Sequence, residues 1–386
     1  MKPIEKTQAH IASRELSKQE ILDRSAALPA KEEFVAEYFV GTVLRAGGGW
    51  YEVDVPEDAG NKKIDNKNVG RKNAVSKNAV SKNKVREPFL CQLRGVLKKG
   101  KRSNTQPVVV GDKVRIRDME SSGQNAKGEL LREGHIEEVL PRTSQLGRAR
   151  FGKTNQITVA NLDQVAVVMS LREPDLNTHR LDRFLVLAES NHLQAIICLN
   201  KSDLLKKREL TKEVKPIKQL YESLGYRVLL LSVESDAGIE ELKEFLTDKT
   251  SAFIGSSGVG KSSLACAVQP GLHLWIGDVM DIGKGRHTTT DVSLHPLEFG
   301  GYIVDTPGVK TVSLLESREV FLPQCFPEMR AHESDCRFNN CTHDHEPGCA
   351  IRAAVDSGEI SSARYESYAK MLADQKAQKP IYEKEK

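Results

Sequence analysis

The segment "GSSGVGKS" at residues 255–262 constrains the fold of this chain most, because it fits the pattern G-x-x-x-x-G-K-[ST] in full. Glycines in such a loop let backbone N–H groups curl around a β-phosphate, while Lys261 reaches the β and γ oxygens and Ser262 can bind Mg²⁺. The apolar run "SAFIG" leads into the loop, and the helical stretch "SSLACAV" follows it. The predicted phosphate-binding residues are Gly255, Ser256, Ser257, Gly258, Val259, Gly260, Lys261, Ser262 and Ser263.

The alternation of apolar and helical segments around this loop predicts the kind of sheet to which the loop belongs. From Val165 onward, short apolar runs ("VAVVMSL", "AIICLN", "RVLLLS", "SAFIG", "YIVDTPG") are separated by helical stretches such as "THRLDRFLVLAES" and "GIEELKEFL". Strands that alternate with helices indicate a doubly wound parallel sheet, whose ligands lie beyond the carboxyl ends of the strands. The motifs that carry chemistry in this part of the chain should therefore meet at one edge of the sheet.

A guanine-recognition motif, "NKSD", follows the run "AIICLN" and consists of Asn200, Lys201, Ser202 and Asp203. The Asp203 carboxylate can accept two hydrogen bonds from the ring N–H and the exocyclic amine of guanine, whereas adenine would leave it unpaired. Because buried, unpaired polar groups are costly, we expect discrimination against adenine by a factor of roughly 10⁴ or more. The turn Ser232-Val233, after the next strand, should lie against the base, although Val233 replaces the small residue usual there.

Two further segments complete a nucleotide-hydrolysing set. "DTPG" begins at Asp305, which should lie near Mg²⁺, and ends at Gly308, whose amide should meet the γ-phosphate. "GRHTTT", at residues 285–290, lies between the phosphate loop and that strand, where a switch would supply a threonine hydroxyl to the metal. We assign this hydroxyl to Thr289, although the sequence leaves all three threonines possible. The predicted magnesium ligands are Ser262, Thr289 and Asp305.

The region before the sheet reads as a small β-barrel. "GTVLRAGGGWYEVDV", "PFLCQLRG", "PVVVGDKVRIRD" and "GHIEEVLP" are short strand-like stretches bounded by turns, and an OB-type barrel is the commonest such module that binds RNA. Residues 61–86 interrupt them with nine Lys/Arg against one Asp and a tandem "KNAVS". We predict that this insertion is disordered and solvated. A flexible basic arm on a phosphate backbone is the functional alternative, and the two interpretations are compatible.

Three of the seven cysteines crowd near the end of the chain in Cys336-x4-Cys341-x-His343-x5-Cys349. Three thiolates and one imidazole form a closed tetrahedral set, which is typical of structural zinc. The alternative is chance clustering of cysteines in a reducing compartment. His345 is also close, and helices are predicted downstream in "AIRAAVDSGEI" and "SARYESYAKMLADQKAQ".

In chain order, the motifs are the guanine motif (200–203), the base turn (232–233), the phosphate loop (255–263), "GRHTTT" as the first switch and "DTPG" as the second switch. This is the order of an ordinary GTPase that has been circularly permuted. Over about residues 38–375, the chain resembles the ribosome small-subunit-dependent GTPases of bacteria, called RsgA or YjeQ, through "NKSD", "GSSGVGKSS", "GRHTTT", "DTPG" and "CRFNNCTHDHEPGCA". The resemblance implies an N-terminal OB domain, a circularly permuted P-loop GTPase and a C-terminal zinc domain in which His343 is the histidine ligand. The resemblance also implies that the protein acts late in the maturation of the small ribosomal subunit. The subunit would in turn stimulate the slow GTP hydrolysis of the protein.

We accordingly predict a multidomain α/β protein with four regions. They are a polar tail (1–37), an OB-fold RNA-binding domain (38–145), a circularly permuted GTPase domain (155–312) and a helical zinc-binding domain (313–386). The expected cofactors are GTP or GDP, Mg²⁺ and one structural Zn²⁺, and the expected partner is the small ribosomal subunit with its rRNA. The chain has 39% hydrophobic residues, as is usual for a soluble globular protein, and no apolar run near the roughly 18 residues of a membrane span. Because no signal peptide is recognisable, we expect the protein in the cytoplasm. We also expect it to be a monomer.

Catalysis is predicted to depend on Lys261 and His287. Many GTPases place a glutamine after the last glycine of the second switch, where it orients the attacking water, but Val309 occupies that position here. His287 could take over this task once the ribosome orders the first switch, or it could merely contact RNA or pack the loop. The competing function is an RNA-binding assembly factor whose GTP site only regulates affinity. A P-loop kinase or ATPase is disfavoured by "NKSD" and "DTPG".

Overall fold

A computed structural model describes residues 38–56, 87–94, 108–125, 128, 130–150, 153–272, 292–305 and 320–377. The polar tail and the basic insertion at residues 61–86 lie outside the described residues, so the predictions for them remain open. The predicted domain boundaries also stay predictions.

Five strands close the predicted barrel in the order β1-β2-β3-β5-β4, with β1 pairing again with β4. The β3–β5 pair is parallel and the other pairs are antiparallel. Alternate apolar side chains such as Val53, Val114 and Ile136 fill the interior, as expected for strands with one solvated face. The strands are β1 (Tyr38–Gly47), β2 (Trp50–Val55), β3 (Glu87–Leu93), β4 (Lys113–Gln124) and β5 (Leu130–Val139).

A hairpin connects the barrel to the predicted doubly wound sheet, whose strand order is β10-β9-β8-β11-β13-β12. The pairs among the first five of these strands are parallel, but β12 runs antiparallel to β13 and pairs on its other side with β1 of the barrel. The sequence analysis did not include β12. A tight turn at Gly300-Gly301, both with positive φ, permits its antiparallel pairing with β13. The strands are β6 (Gln145–Arg150) and β7 (Lys153–Ala160) in the hairpin, then β8 (Gln164–Ser170), β9 (Gln194–Asn200), β10 (Arg227–Leu230), β11 (Thr250–Ile254), β12 (Ser293–Pro296) and β13 (Tyr302–Asp305).

Helices cover both faces of this sheet. Along the buried strand β8, Val165 and Val167 belong to one apolar cluster and Ala166 and Val168 to a second one, because successive side chains point to opposite faces. Helices α1 and α3 pack on the first face, and α4 and α5 on the second. The helices are α1 (Thr178–Ser190), α2 (Lys207–Glu209), a π-turn (Leu210–Val214) that continues into α3 (Lys215–Ser223), α4 (Ile239–Leu246) and α5 (Lys261–Val268).

The C-terminal region is helical, and its core is continuous with that of the sheet. Phe326, Met329 and Tyr368 belong to the same buried cluster as Leu185 of α1. The elements are 3₁₀ turns at Leu322–Cys325 and Glu333–Asp335, and helices α6 (Pro327–Arg330), α7 (Ala350–Asp356) and α8 (Ser362–Ala377). Among the helices in the described part of the chain, none is both long and apolar enough to cross a membrane.

Candidate nucleotide site and metal centre

The predicted phosphate loop connects β11 to α5, so it lies at the carboxyl end of a central strand and at the N-terminus of a helix. Gly258 and Gly260 have positive φ values of 78° and 92°. A Cβ on Gly255 would lie 2.2 Å from the Val168 carbonyl oxygen, and one on Gly260 would lie 2.3 Å from Nδ2 of Asn200. The glycines are therefore needed both for backbone conformation and for close approach. The open N–H groups at the start of α5 suit an anion.

Lys261 is the first residue of α5 and folds back across the loop. Its Nζ donates to the carbonyl oxygens of Gly255 at 3.0 Å and Ser256 at 2.7 Å. Burial lowers the pKa of Lys261, because the ammonium has lost water and has gained only neutral carbonyl partners. The loop thus holds a partly desolvated cation over the position where the phosphates of a nucleotide are predicted.

Asn200, the first residue of the guanine motif, joins that motif to the phosphate loop. It is the last residue of β9, is 2% exposed, and its Nδ2 donates to the carbonyl oxygen of Val259 at 2.9 Å. Lys201 follows with a positive φ of 60°, and its Nζ donates to the carbonyl oxygen of Glu173. The structure therefore brings together two motifs that lie about fifty residues apart in the sequence.

Asp203 is exposed in a short 3₁₀ turn (Ser202–Leu204), where a second residue of the predicted base site orients it. The buried Ser232 hydroxyl donates to Oδ1 of Asp203 at 2.6 Å and accepts from the Ser235 backbone N–H at 3.2 Å. Val233 follows Ser232 and is partly buried against the apolar cluster of the second face. The turn after β10 thus fixes the carboxylate that is predicted to read guanine.

Two of the predicted magnesium ligands follow neighbouring strands: Ser262 lies in the first turn of α5, after β11, and Asp305 is the last residue of β13. Oγ of Ser262 is buried and has no hydrogen-bond partner among the described residues. Asp305 ends β13, which pairs directly with β11, and it is 7% exposed. Nε2 of His295, on β12, lies 3.9 Å from Oδ2 of Asp305 and 3.3 Å from Oγ of Ser293. His287, Thr289 and Gly308 lie outside the described residues.

One segment beside the site was missed by the sequence analysis. Residues 171–177 connect β8 to α1; Glu173 accepts from Lys201, and a Cβ on Gly258 would lie 3.8 Å from Cδ of Pro174. The position of this segment could have been predicted, because it also follows the carboxyl end of a parallel strand. None of its residues belongs to a recognisable motif, and for that reason the sequence analysis did not include it.

In the C-terminal region, Cys336, Cys341, His343 and Cys349 converge into a cluster that could hold a metal ion. Their ligand atoms all lie within 4.8 Å of one another, and Nδ1 of His343 lies 3.5 Å from Sγ of both Cys336 and Cys349. The side chain of His345 is 80% exposed, and its Nδ1 lies 3.5 Å from Oδ2 of Asp344. The structure therefore places His343 in the cluster and His345 outside it.

The titration behaviour of the cluster suits a metal. Burial and the neighbouring thiols raise the pKa of Cys341, and burial lowers the pKa of His343. The imidazole is consequently neutral with a lone pair to give, and the crowded thiols need a cation before they ionise.

The loop that carries His343 is held by groups outside the cluster. Although burial opposes it, hydrogen bonds to its carboxylate lower the pKa of Glu346, which accepts from the backbone N–H and hydroxyl of Thr342 at 2.9 and 2.6 Å. From α8, the Tyr368 hydroxyl donates to the Thr342 carbonyl and the Tyr365 hydroxyl to the His343 carbonyl, both at 2.7 Å. These bonds preorganise the loop and fix it on α8.

Comparison with known proteins adds independent findings. A family model described as RsgA GTPase matches residues 139–315. The chain is 42% identical over 292 residues to a protein of Gemmatimonas aurantiaca named small ribosomal subunit biogenesis GTPase RsgA, covering 74% of this chain and 90% of the relative. A protein of the same name from Thermotoga maritima is 38% identical over 287 residues, covering 74% and 88%.

Two solved structures are similar to nearly the whole chain. The crystal structure of YjeQ from Thermotoga maritima matches with a TM-score of 0.65 and 32% identity, covering 89% of this chain and all of that one. The crystal structure of YloQ, described as a circularly permuted GTPase, matches with a TM-score of 0.64 and 28% identity, covering 92% of this chain and all of that one. The permuted strand order is therefore shared with a solved protein.

Proposed function

Since this chain belongs to the RsgA GTPase family and is therefore a GTP hydrolase, we propose that it hydrolyses GTP on the small ribosomal subunit during late maturation of that particle. The proposal that the chain binds and hydrolyses GTP rests on the 2.9 Å hydrogen bond from Asn200 to the phosphate loop. This bond connects the guanine motif and the phosphate loop into a single site. The ribosomal half rests on the names of relatives that the chain matches over most of their length. We further propose that the protein acts as a cytoplasmic monomer.

In the proposed site each motif has one task. Asp203 accepts two hydrogen bonds from guanine, with Ser232 orienting it. The phosphate-loop amides hold the phosphates, and Lys261 exchanges its two carbonyl partners for phosphate oxygens. The latter exchange is favourable because it gives a desolvated ammonium an anionic partner.

The residues present fit a magnesium ion. Ser262 offers a buried hydroxyl oxygen that has no partner among the described residues, and Asp305 offers a buried carboxylate on the neighbouring strand. We propose these two and Thr289 as its protein contacts, with the Gly308 amide at the γ-phosphate. When bound, the ion neutralises charge that develops on the transferred phosphoryl group.

The C-terminal cluster fits one structural zinc ion. Three buried thiols and a neutral imidazole form a closed set with no position left for a substrate, as expected for a structural rather than catalytic ion. We propose that Cys336, Cys341, His343 and Cys349 bind it. Convergence of all four ligand atoms within 4.8 Å speaks against chance clustering of cysteines.

We propose that the barrel contributes rRNA binding. Tyr38 and Trp50 are partly exposed aromatic side chains on β1 and β2, suited to stacking with unpaired bases. The guanidinium of Arg132 on β5 lies 4.8 Å from the ring centroid of Phe89 and donates from Nη2 to the Asp118 carboxylate, so this cation is held in place at the same barrel. Proteins that bind single-stranded nucleic acid commonly combine aromatic side chains with cationic groups on one surface.

The test is GTP turnover by the full chain with and without purified small ribosomal subunits. We expect slow turnover by the free protein and stimulation by the subunit by at least about tenfold, within the range that added transition-state contacts supply. Large subunits serve as the control particle. Tight binding of small subunits without any stimulation would instead favour an assembly factor whose GTP site only regulates affinity.

A further inference from the structure

A buried arginine outside both sites connects the C-terminal helices to the nucleotide-binding sheet. Arg364 of α8 is 1% exposed, and its Nη1 donates to Oδ1 of Asp182 on α1 at 2.5 Å. Its Nε and Nη2 donate to the two carboxylate oxygens of Glu328 on α6, at 2.7 and 3.1 Å. The Tyr221 hydroxyl of α3 donates to the same Asp182 oxygen at 2.7 Å, and the Phe326 ring centroid lies 4.6 Å from Cζ of Arg364.

Such a network is a poor way to gain stability. Two carboxylates and one guanidinium have been removed from water, and well-packed apolar side chains in their place would stabilise a core as well or better. What an ionic network adds is directionality, because the planar guanidinium fits a carboxylate in one bidentate geometry. The arrangement therefore fixes how α1 is oriented against α6 and α8.

The orientation of α1 matters to the nucleotide site through residues 171–177, which lead directly into this helix. Lys201 of the guanine motif donates to the carbonyl oxygen of Glu173 in this segment, and Pro174 lies against the phosphate loop, 3.8 Å from a Cβ built on Gly258. Asp182 lies only five positions after Asn177, the N-cap of α1. A shift of Asp182 is therefore passed along little more than one helical turn to the segment.

We infer that Arg364 is a positioning residue for guanine nucleotide binding, acting through Asp182 and α1 on the segment that contacts the guanine motif and the phosphate loop. The inference rests on the guanine site proposed above and extends it to a residue more than 150 positions after the guanine motif in the chain. Because coupling between two sites is reciprocal, nucleotide binding would in turn bias how the C-terminal helices are held.

The test is the equilibrium and kinetic binding of a fluorescent GDP analogue to the full chain carrying Arg364→Met, Asp182→Asn or both substitutions. We expect each single substitution to weaken binding about tenfold, mainly through faster dissociation, within the usual range of coupling between sites. The double variant should bind the analogue no more weakly than whichever single variant has the lower affinity, since both substitutions break the same Arg364–Asp182 ion pair. Arg183→Met is the matched control, because it removes an exposed ion pair with Asp374, 2.9 Å long, at the same contact of α1 with α8. It should leave the Kd for the analogue within twofold of the wild-type value.

Several outcomes would overturn the inference. If Asp182→Asn lowers the unfolding temperature but leaves the Kd within twofold of wild type, the network is structural only. If the double variant shows the product of the two single effects, Arg364 does not act through Asp182. Should Arg364→Met fail to fold, Asp182→Asn alone decides, because it keeps the bidentate pair of Arg364 with Glu328. A wild-type chain that does not bind GDP would contradict the proposed function instead.

Discussion

At the scale of single residues, the carboxylate of Asp203 that we propose to bind guanine is oriented by one neighbouring hydroxyl. The carboxylate is exposed, yet the buried Ser232 hydroxyl donates to it at 2.6 Å and is itself held by the Ser235 backbone N–H. A carboxylate held in this way has less rotational freedom to lose when a base arrives, so binding costs less. The motif "NKSD" predicts the acceptor, but only the fold shows which residue orients it.

We expect Asp203→Asn to weaken GTP binding by about a hundredfold or more, because an amide presents one acceptor where guanine needs two. The same change should favour xanthine nucleotides, whose ring carbonyl can accept from the new amide. Competition binding with GTP, XTP and ATP measures both effects. Ser232→Ala is the control; it should weaken GTP binding severalfold and preserve the preference for guanine. Equal affinity of the wild-type protein for ATP and GTP would contradict the assignment.

A second residue-scale prediction concerns the attacking water. The side chain of Val309 cannot hydrogen-bond to water, so the free protein should hydrolyse GTP slowly. If His287 supplies the missing contact on the ribosome, His287→Ala should abolish stimulation by small subunits and leave GTP affinity and subunit binding nearly intact. Single-turnover hydrolysis with saturating subunits measures this. Stimulation that survives the substitution would leave His287 with the alternative role of contacting RNA or packing its loop.

At the scale of elements, the metal cluster and α8 depend on each other. Two tyrosine hydroxyls of α8 hold the carbonyls of Thr342 and His343, and the same helix contributes Tyr368 to the apolar cluster that contains Leu185 of α1. A loop of 14 residues, from Cys336 to Cys349, has little apolar surface of its own to bury. We therefore expect the proposed zinc ion and α8 together to fix its conformation.

We accordingly expect removal of the metal to destabilise more than its own loop. Cys341→Ser should lose the zinc and lower the free energy of unfolding by about 3 kcal/mol or more, a part of the roughly 10–16 kcal/mol with which structural zinc binds. Metal analysis combined with thermal unfolding followed by circular dichroism measures both. Cys325 is a buried cysteine of the same region that lies outside the cluster. The control variant Cys325→Ala should therefore retain one zinc per chain. Unchanged stability of a zinc-free variant would refute the site.

At the scale of the whole molecule, the barrel contacts the sheet through β12 and β13, and these two strands lie between the two predicted switches in the sequence. Strand β1 of the barrel pairs with β12 at Arg45 and Ser293, and the Tyr302 hydroxyl of β13 donates to the buried Asp54 of β2 at 2.7 Å. The two predicted switches flank this β12–β13 hairpin in the sequence. A change of nucleotide that moves either switch would therefore act on strands that contact the barrel directly.

The sequence predicts this architecture unevenly, for physical reasons. The phosphate loop, the guanine motif and the cysteine cluster could be predicted because their chemistry permits few residue types at fixed spacings. The antiparallel strand β12, "SLHP", could not, because it is four residues long and gains its order from pairing with β13. Arg364 gave no signal either, since an arginine in an amphipathic helix normally faces water and its carboxylate partners are distant in sequence.

The basic insertion bears on how the whole molecule meets RNA. Residues 61–86 carry nine Lys/Arg and one Asp, a net charge of +8, whereas the chain as a whole carries only +4. If these cations contact the rRNA backbone, each one that releases a counterion adds about 0.7–0.9 to the magnitude of the slope of log affinity against log salt. Deleting the segment should therefore reduce this slope for small-subunit binding, measured by titration between low and physiological salt. GTP affinity of the free protein should not change, which controls for folding. A second variant, in which glutamine replaces the nine cations at the original length, separates the effect of charge from that of segment length. A reduced slope in both the deletion and the glutamine variant supports a basic arm. An unchanged slope in both means that the segment is an inert insertion.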